Sequence, residues 1–212
     1  MNRLKDCYLY GTDEIHGDGF ENSAIISILK DGEIKTRENL GIKLGISCNK
    51  DNEICLIDPR KKRKGIKQLS CRSAFRLYVL YGATLVLDRN IETFNPPVKN
   101  YPNEQEAKIM GVTDLYDEVR HSGDISLDHL QGILYPISMY RLFVHNIFSY
   151  ESRIVHMYEE IEFIKENFPE IEIKDTFTGK KIDIVKTKKK IDKIKNKVTK
   201  EKVKKLSRGS FF

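Results

Sequence analysis

The apolar residues of this chain come in short runs bounded by turn-forming residues. EICLID at 53–58, ATLVLD at 83–88 and GILYPI at 132–137 are each six residues long. Runs of that length, rich in Ile, Val and Leu, predict buried strands, because a buried helix needs its apolar pattern sustained over about 10–12 residues. CYLYGT adds a strand over Tyr8–Tyr10 with Gly11 and Thr12 at its exit, and Asp13–Gly19 reads as a loop. YDEVR at 116–120 predicts one more strand, joined to GILYPI through GDISLDHL, which reads as a turn.

Two segments carry helical spacing instead. In the first, Asn22 or Ser23 can cap the amino end, Ile25, Ile28 and Leu29 form one apolar face, and Gly32 can end the helix in the left-handed conformation. In the second, KQLSCRSAFRLYVLY at 67–81, Leu69, Ser73, Leu77 and Leu80 share a side, and Gly82 closes it. Strands and helices together predict an α+β fold. NPPVKNYP at 95–102 reads as a loop, and RKKRKG at 60–65 as a basic one.

A chain of 212 residues, 40% hydrophobic and 32% charged, has the composition of a globular protein with one core and an extension. The expected division is 1–150 for the core domain and 151–212 for a carboxy-terminal helix and basic tail. Charge is uneven. The whole chain is at +6, but residues 171–212 hold 15 Lys and Arg against 5 Asp and Glu, which leaves the rest at −4. Ile184, Ile191, Ile194, Val198 and Leu206 recur among those lysines at roughly helical spacing, so the tail is expected to be a basic helix with a thin apolar stripe. Clustered lysine gains affinity for phosphate by counterion release, so 180–208 is a candidate nucleic-acid contact. With only Phe211 and Phe212 as aromatics from 180 onward, such contact would be independent of base sequence.

No apolar run approaches the 18–20 residues of a membrane span, and MNRLKDCYLYG lacks the apolar core of a secretory signal, so a cytoplasmic protein with no membrane contact is expected. Cys7, Cys48, Cys55 and Cys71 form no C-x-x-C pair, and free thiols rather than zinc or disulfides are expected. His121, His129, His145 and His156 are scattered over different segments, which suits structural or surface roles. The chain has no G-x-x-x-x-G-K-[ST], G-x-G-x-x-G or H-E-x-x-H, so nothing points to a P-loop nucleotide site, a Rossmann fingerprint or a zincin.

The order of these segments resembles the ADP-ribosyltransferase superfamily, in particular its PARP-like branch with DNA-modifying toxins and tRNA 2′-phosphotransferases. The resemblance spans residues 7–137: an aromatic-Gly-Thr strand end, a helix closing on ILKDGEI, the strand EICLID, the Ser-Ala helix CRSAFRLY, and a late strand that begins with glutamate. It implies a split β-sheet core and NAD as substrate. It also implies transfer of ADP-ribose to a macromolecular acceptor, nucleic acid or protein, as bacterial or phage toxins and effectors do.

On that resemblance Glu118 is the catalytic carboxylate. It would bond the nicotinamide-side ribose and stabilise the oxocarbenium-like charge as the glycosidic bond breaks. The other reading is a solvent-facing strand residue paired with Arg120, two places along. Tyr10, Gly11 and Thr12 stand where many members have His-Gly-Ser or His-Gly-Thr, with the glycine backbone holding the nicotinamide amide. His16-Gly17 is the alternative, but a cofactor contact is better held on a strand than on a loop. Tyr78, or else Phe75, would stack on the nicotinamide ring, and Arg37 could pair with the pyrophosphate. Two other functions compete: a non-enzymatic binding module on the same scaffold, and a nucleic-acid-binding protein that works through its basic loop and tail.

Overall fold

The computed structural model describes residues 6–12, 23–41, 51–60, 83–95, 118–137, 150–176 and 178–183, together with positions 185, 186, 189, 192, 193 and 196. The helix expected at 67–81 and the loops at 13–19 and 95–102 lie outside them, apart from Asn95, as do Tyr78, Phe75 and His16.

In chain order the elements are β1 (Tyr8–Gly11), α1 (Ala24–Asp31), β2 (Glu33–Ile34), β3 (Glu53–Ile57), β4 (Thr84–Leu87), β5 (Glu118–Ser122), β6 (Ile125–Ser126), β7 (Leu130–Tyr135), α2 (Tyr150–Asn167) and β8 (Ile173–Asp175). The fold is α+β. Six strands form one mixed sheet in the order β5-β3-β1-β4-β7-β8, and β2 with β6 forms a separate two-stranded ribbon. All neighbours in the large sheet are antiparallel except β7 and β8.

The three apolar runs fold as strands because each has alternate residues to bury on both faces. Tyr8, Ile54, Leu56, Leu85, Leu87, Val119, Ile133, Tyr135 and Ile173 pack into the main core with α1 and α2. Cys7, Leu9, Ile57 and Leu134 form a second, smaller cluster on the opposite face. The parity of the ladders, Leu9 opposite Ile57 and Thr84 opposite both Gly11 and Leu134, assigns the paired positions to one face or the other, up to the register shift after Val86.

α1 starts and stops where its caps dictate. Ser23 Oγ accepts the Ile26 amide at 3.3 Å, and Gly32, at φ 75°, donates its own amide to Ile28. Such a cap stabilises a helix by about 1 kcal/mol. The buried face is Ile25, Ile26 and Leu29; Ile28 is only partly buried, so the expected face is rotated by one position. The segment GDISLDHL is more than a turn. It contains β6 and a 3-10 turn at Leu127–His129, and Asp124 at its start accepts the Thr36 amide at 2.6 Å and the Asn39 side chain at 2.5 Å.

The expected boundary at 150 coincides with the first residue of α2. Met157, Tyr158, Ile161 and Ile164 of this helix and Ile173 of β8 enter the same core as the elements before 150. Beyond β8 the chain turns at Gly179 and returns along it, with Lys181 bridged to Lys174. The described positions from 185 to 196 are helical, and Val185 among them is exposed; the rest of the lysine-rich tail and its apolar stripe lie outside the described residues.

Glu160, on α2, is a carboxylate buried at 3% exposure against the main core. It accepts the Tyr135 hydroxyl at 2.9 Å and a bond from Ser23, the α1 cap. Burial pushes its carboxyl up to about 7 against those two bonds, which favour the charged form. A folded value above the unfolded one, 4.5, means that the native state holds a proton the unfolded chain has lost. Stability is therefore full below pH 4.5 and declines as pH rises to about 7, by about 3 kcal/mol for this group. Glu160→Gln keeps hydrogen-bonding capacity and should remove that part of the pH dependence. Thermal melts of both proteins from pH 4 to pH 8 test it, and parallel curves would sink it.

Candidate functional site

Glu118 is the first residue of β5, and its register partner is Ile57, which in turn faces Leu9. Position 118 therefore belongs to the face shared by Ile57, Leu9 and Gly11. The three strands that carry the aromatic-Gly-Thr end, EICLID and the leading glutamate are consecutive neighbours in the sheet.

The first strand's end divides into different roles. Tyr10 lies on the opposite face from Gly11 and packs against the main core. Thr12 is buried, and both its amide, at 3.0 Å, and its hydroxyl, at 2.8 Å, donate to the Ala83 carbonyl. This is a structural tie from β1 to the start of β4. It also fixes the hydrogen-bonding parity: Tyr8, Tyr10 and Thr12 bond toward β4, so Leu9 and Gly11 turn amide and carbonyl toward β3.

The ladder between β1 and β3 consists of the single pair Leu9 and Ile57. Extended by two places, the register would set Gly11 level with Cys55, but among the described residues the ladder stops short. Gly11 thus turns one donor and one acceptor, side by side, toward β3, with no ladder partner there among the described residues. A planar primary carboxamide carries the complementary pair.

At the start of β3 lies a buried charged pair. Arg120 Nη1 donates to Glu53 Oε2 at 2.8 Å, with side chains 1% and 8% exposed. Arg120, weighed as the strand mate of Glu118, is thus bound to Glu53. Its backbone also exchanges two hydrogen bonds with Phe94, which covers the outer edge of β5. Arg37 sits after β2, its Nε 4.0 Å from Asp51, close before β3 and at the same end of the sheet as Gly11.

The other end of the sheet carries a second cluster. Asp58, just past β3, is buried and accepts Arg89 Nη2 at 2.6 Å and the Arg60 amide at 2.9 Å. Burial would raise its carboxyl, but these bonds outweigh burial and hold it at about 2. The Arg89 guanidinium also lies 4.1 Å from the centre of the Tyr8 ring, and the Tyr8 hydroxyl meets Thr93. Neighbouring Cys7 is buried, which pushes its thiol up to about 11 and makes it a poor nucleophile.

Reading by pattern overlooked Glu53 and Asp58. The available signal was position: a charged residue abutting an apolar strand at each end of EICLID. Among the described residues no group of three or more His, Cys, Asp or Glu could hold a metal ion, and no helix is long and apolar enough to cross a membrane. Comparison with protein-family models, with curated proteins and with solved structures finds no match to this chain.

Proposed function

We propose that the chain is an NAD-dependent ADP-ribosyltransferase, with Glu118 as the carboxylate that stabilises the ribosyl cation. One observation carries the reading. Gly11 turns an amide and a carbonyl with no ladder partner among the described residues toward β3, and Glu118 starts a strand two places away on the same face. NAD has the two features such a site would select: a primary carboxamide for the Gly11 backbone, and a glycosidic bond whose cleavage builds positive charge near a carboxylate. In this reading Thr12 and Tyr10 shape the strand end from behind, Arg37 serves the pyrophosphate and Tyr78 the ring. The acceptor is a macromolecule, nucleic acid or protein, approached through the basic segments at 60–65 and 180–208, as suits a toxin or effector.

Glu118→Gln should leave NAD binding within about threefold of wild type and reduce transfer of label from NAD, or its hydrolysis, by roughly 10² or more, the scale of a lost electrostatic or acid–base group. Calorimetric titration and single-turnover label transfer measure the two quantities. Equal turnover by both proteins would remove Glu118 from the mechanism, and wild type that neither binds nor cleaves NAD would end the proposal.

A further inference from the structure

We propose that charging Glu160 tightens the amino-terminal cap of α1, so that α2 holds a proton-operated switch on that helix. The proposal is independent of the NAD reading. Three elements meet at this carboxyl group: α2 carries Glu160, β7 carries Tyr135, and Ser23 caps α1. The Tyr135 hydroxyl donates to Glu160 Oε2 at 2.9 Å, the Ser23 hydroxyl donates to the same carboxylate, and Ser23 Oγ accepts the Ile26 amide at 3.3 Å. All three side chains are buried, so bulk water does not serve as a spare acceptor.

With Glu160 charged, every hydrogen of the cluster has a place. The Ile26 amide donates to Ser23, and Ser23 donates onward to the carboxylate, all in one direction. Hydrogen bonds chained in this way polarise one another, which makes the serine oxygen a better acceptor for the amide. A proton on Glu160 adds one hydrogen too many. Among the described residues neither hydroxyl has a second acceptor, so one of them must turn its hydrogen away. Ser23 yields, because its hydroxyl rotates freely about a single bond, whereas a phenolic hydrogen keeps to the plane of its ring. Its oxygen then receives two donors and gives nothing in return. The chain is reversed and the cap weakens.

Burial brings this exchange near neutral pH by pushing the carboxyl up to about 7. Other ionisable groups of the packed elements are engaged elsewhere: His156 faces Glu159 at 3.7 Å on α2, Lys30 of α1 lies over the Phe163 ring, and Asp175 of β8 accepts Thr178. Burial and the two hydroxyls are what move Glu160. The signature is a local response opposed to the global one. Overall stability falls as Glu160 loses its proton, while the α1 cap strengthens.

Nuclear magnetic resonance of the full chain from pH 4 to pH 9 tests this, following the Glu160 carboxyl carbon and the Ile26 amide together. The Ile26 amide proton should move downfield as pH rises, with the same midpoint as the Glu160 carboxyl. In Glu160→Gln that movement should be lost. Tyr135→Phe removes one bond to the charged form and leaves Ser23 in place, so both midpoints should rise together by about one pH unit or more. An Ile26 amide that stays fixed while Glu160 titrates overturns the switch, as does one that moves equally in Glu160→Gln. A Glu160 carboxyl that titrates in the ordinary carboxylate range overturns it as well.

Discussion

Glu53→Leu lowers the free energy of unfolding by about 3–5 kcal/mol, the scale of breaking a buried ion pair by removing one member. The partner left behind is Arg120, whose side chain is 1% exposed. A buried lysine could shed its proton, but a guanidinium remains charged at any pH the fold survives. Arg120→Leu should cost a similar amount by breaking the same pair from the other side. The double variant should regain most of the loss, because two apolar side chains satisfy that space without charge. Denaturant unfolding of the four proteins closes the cycle. Single losses below about 1 kcal/mol that simply add would show that water reaches the pair.

Gly132→Ala should cost about 3 kcal/mol, at the upper end for overpacking, because the group it strikes is backbone. A Cβ at Gly132 would stand 2.8 Å from the Glu172 carbonyl oxygen. That oxygen accepts the Ile133 amide at 2.9 Å, the contact that brings β8 alongside β7. Relief of the clash therefore requires the parallel edge strand to move. The comparison is Gly123→Ala, where φ is 92° and nothing lies near the added atom, so only backbone strain of about 1–2 kcal/mol is expected. Melting curves rank the two, and hydrogen exchange at the Ile133 amide reports whether β8 has detached. Retained protection in Gly132→Ala with unchanged stability would refute the packing argument.

What the sequence revealed was local. EICLID and ATLVLD are strands, shorter by a residue or two than their apolar runs, and Ser23 and Gly32 cap α1 as their residue types require. β2 and β6 escaped notice because two residues have no period; they exist only through pairing with each other. Strand order is likewise a property of distant partners. Glu53 and Arg120 are 67 positions apart, so neither could be recognised as the other's counter-ion. The site followed the same division. A glycine after an aromatic strand is visible in the text of the chain, while the stop in the β1–β3 ladder among the described residues depends on where neighbouring strands lie.

The link from β5 to β7 has a consequence for the reach of the chain. Ser122 and Leu130 are eight positions apart, which gives at most about 26–29 Å of extended backbone. In the order β5-β3-β1-β4-β7 the two strands stand four steps apart, about 19 Å sideways. They run in the same direction, so the link must also travel back along a strand's length. Little slack is left, and β6 takes up part of it by holding to β2. The strand that begins with Glu118 is therefore on a short leash. It cannot drift outward without lifting β6 from β2 and Asp124 from the Thr36 turn, and a link two residues shorter would not span the gap.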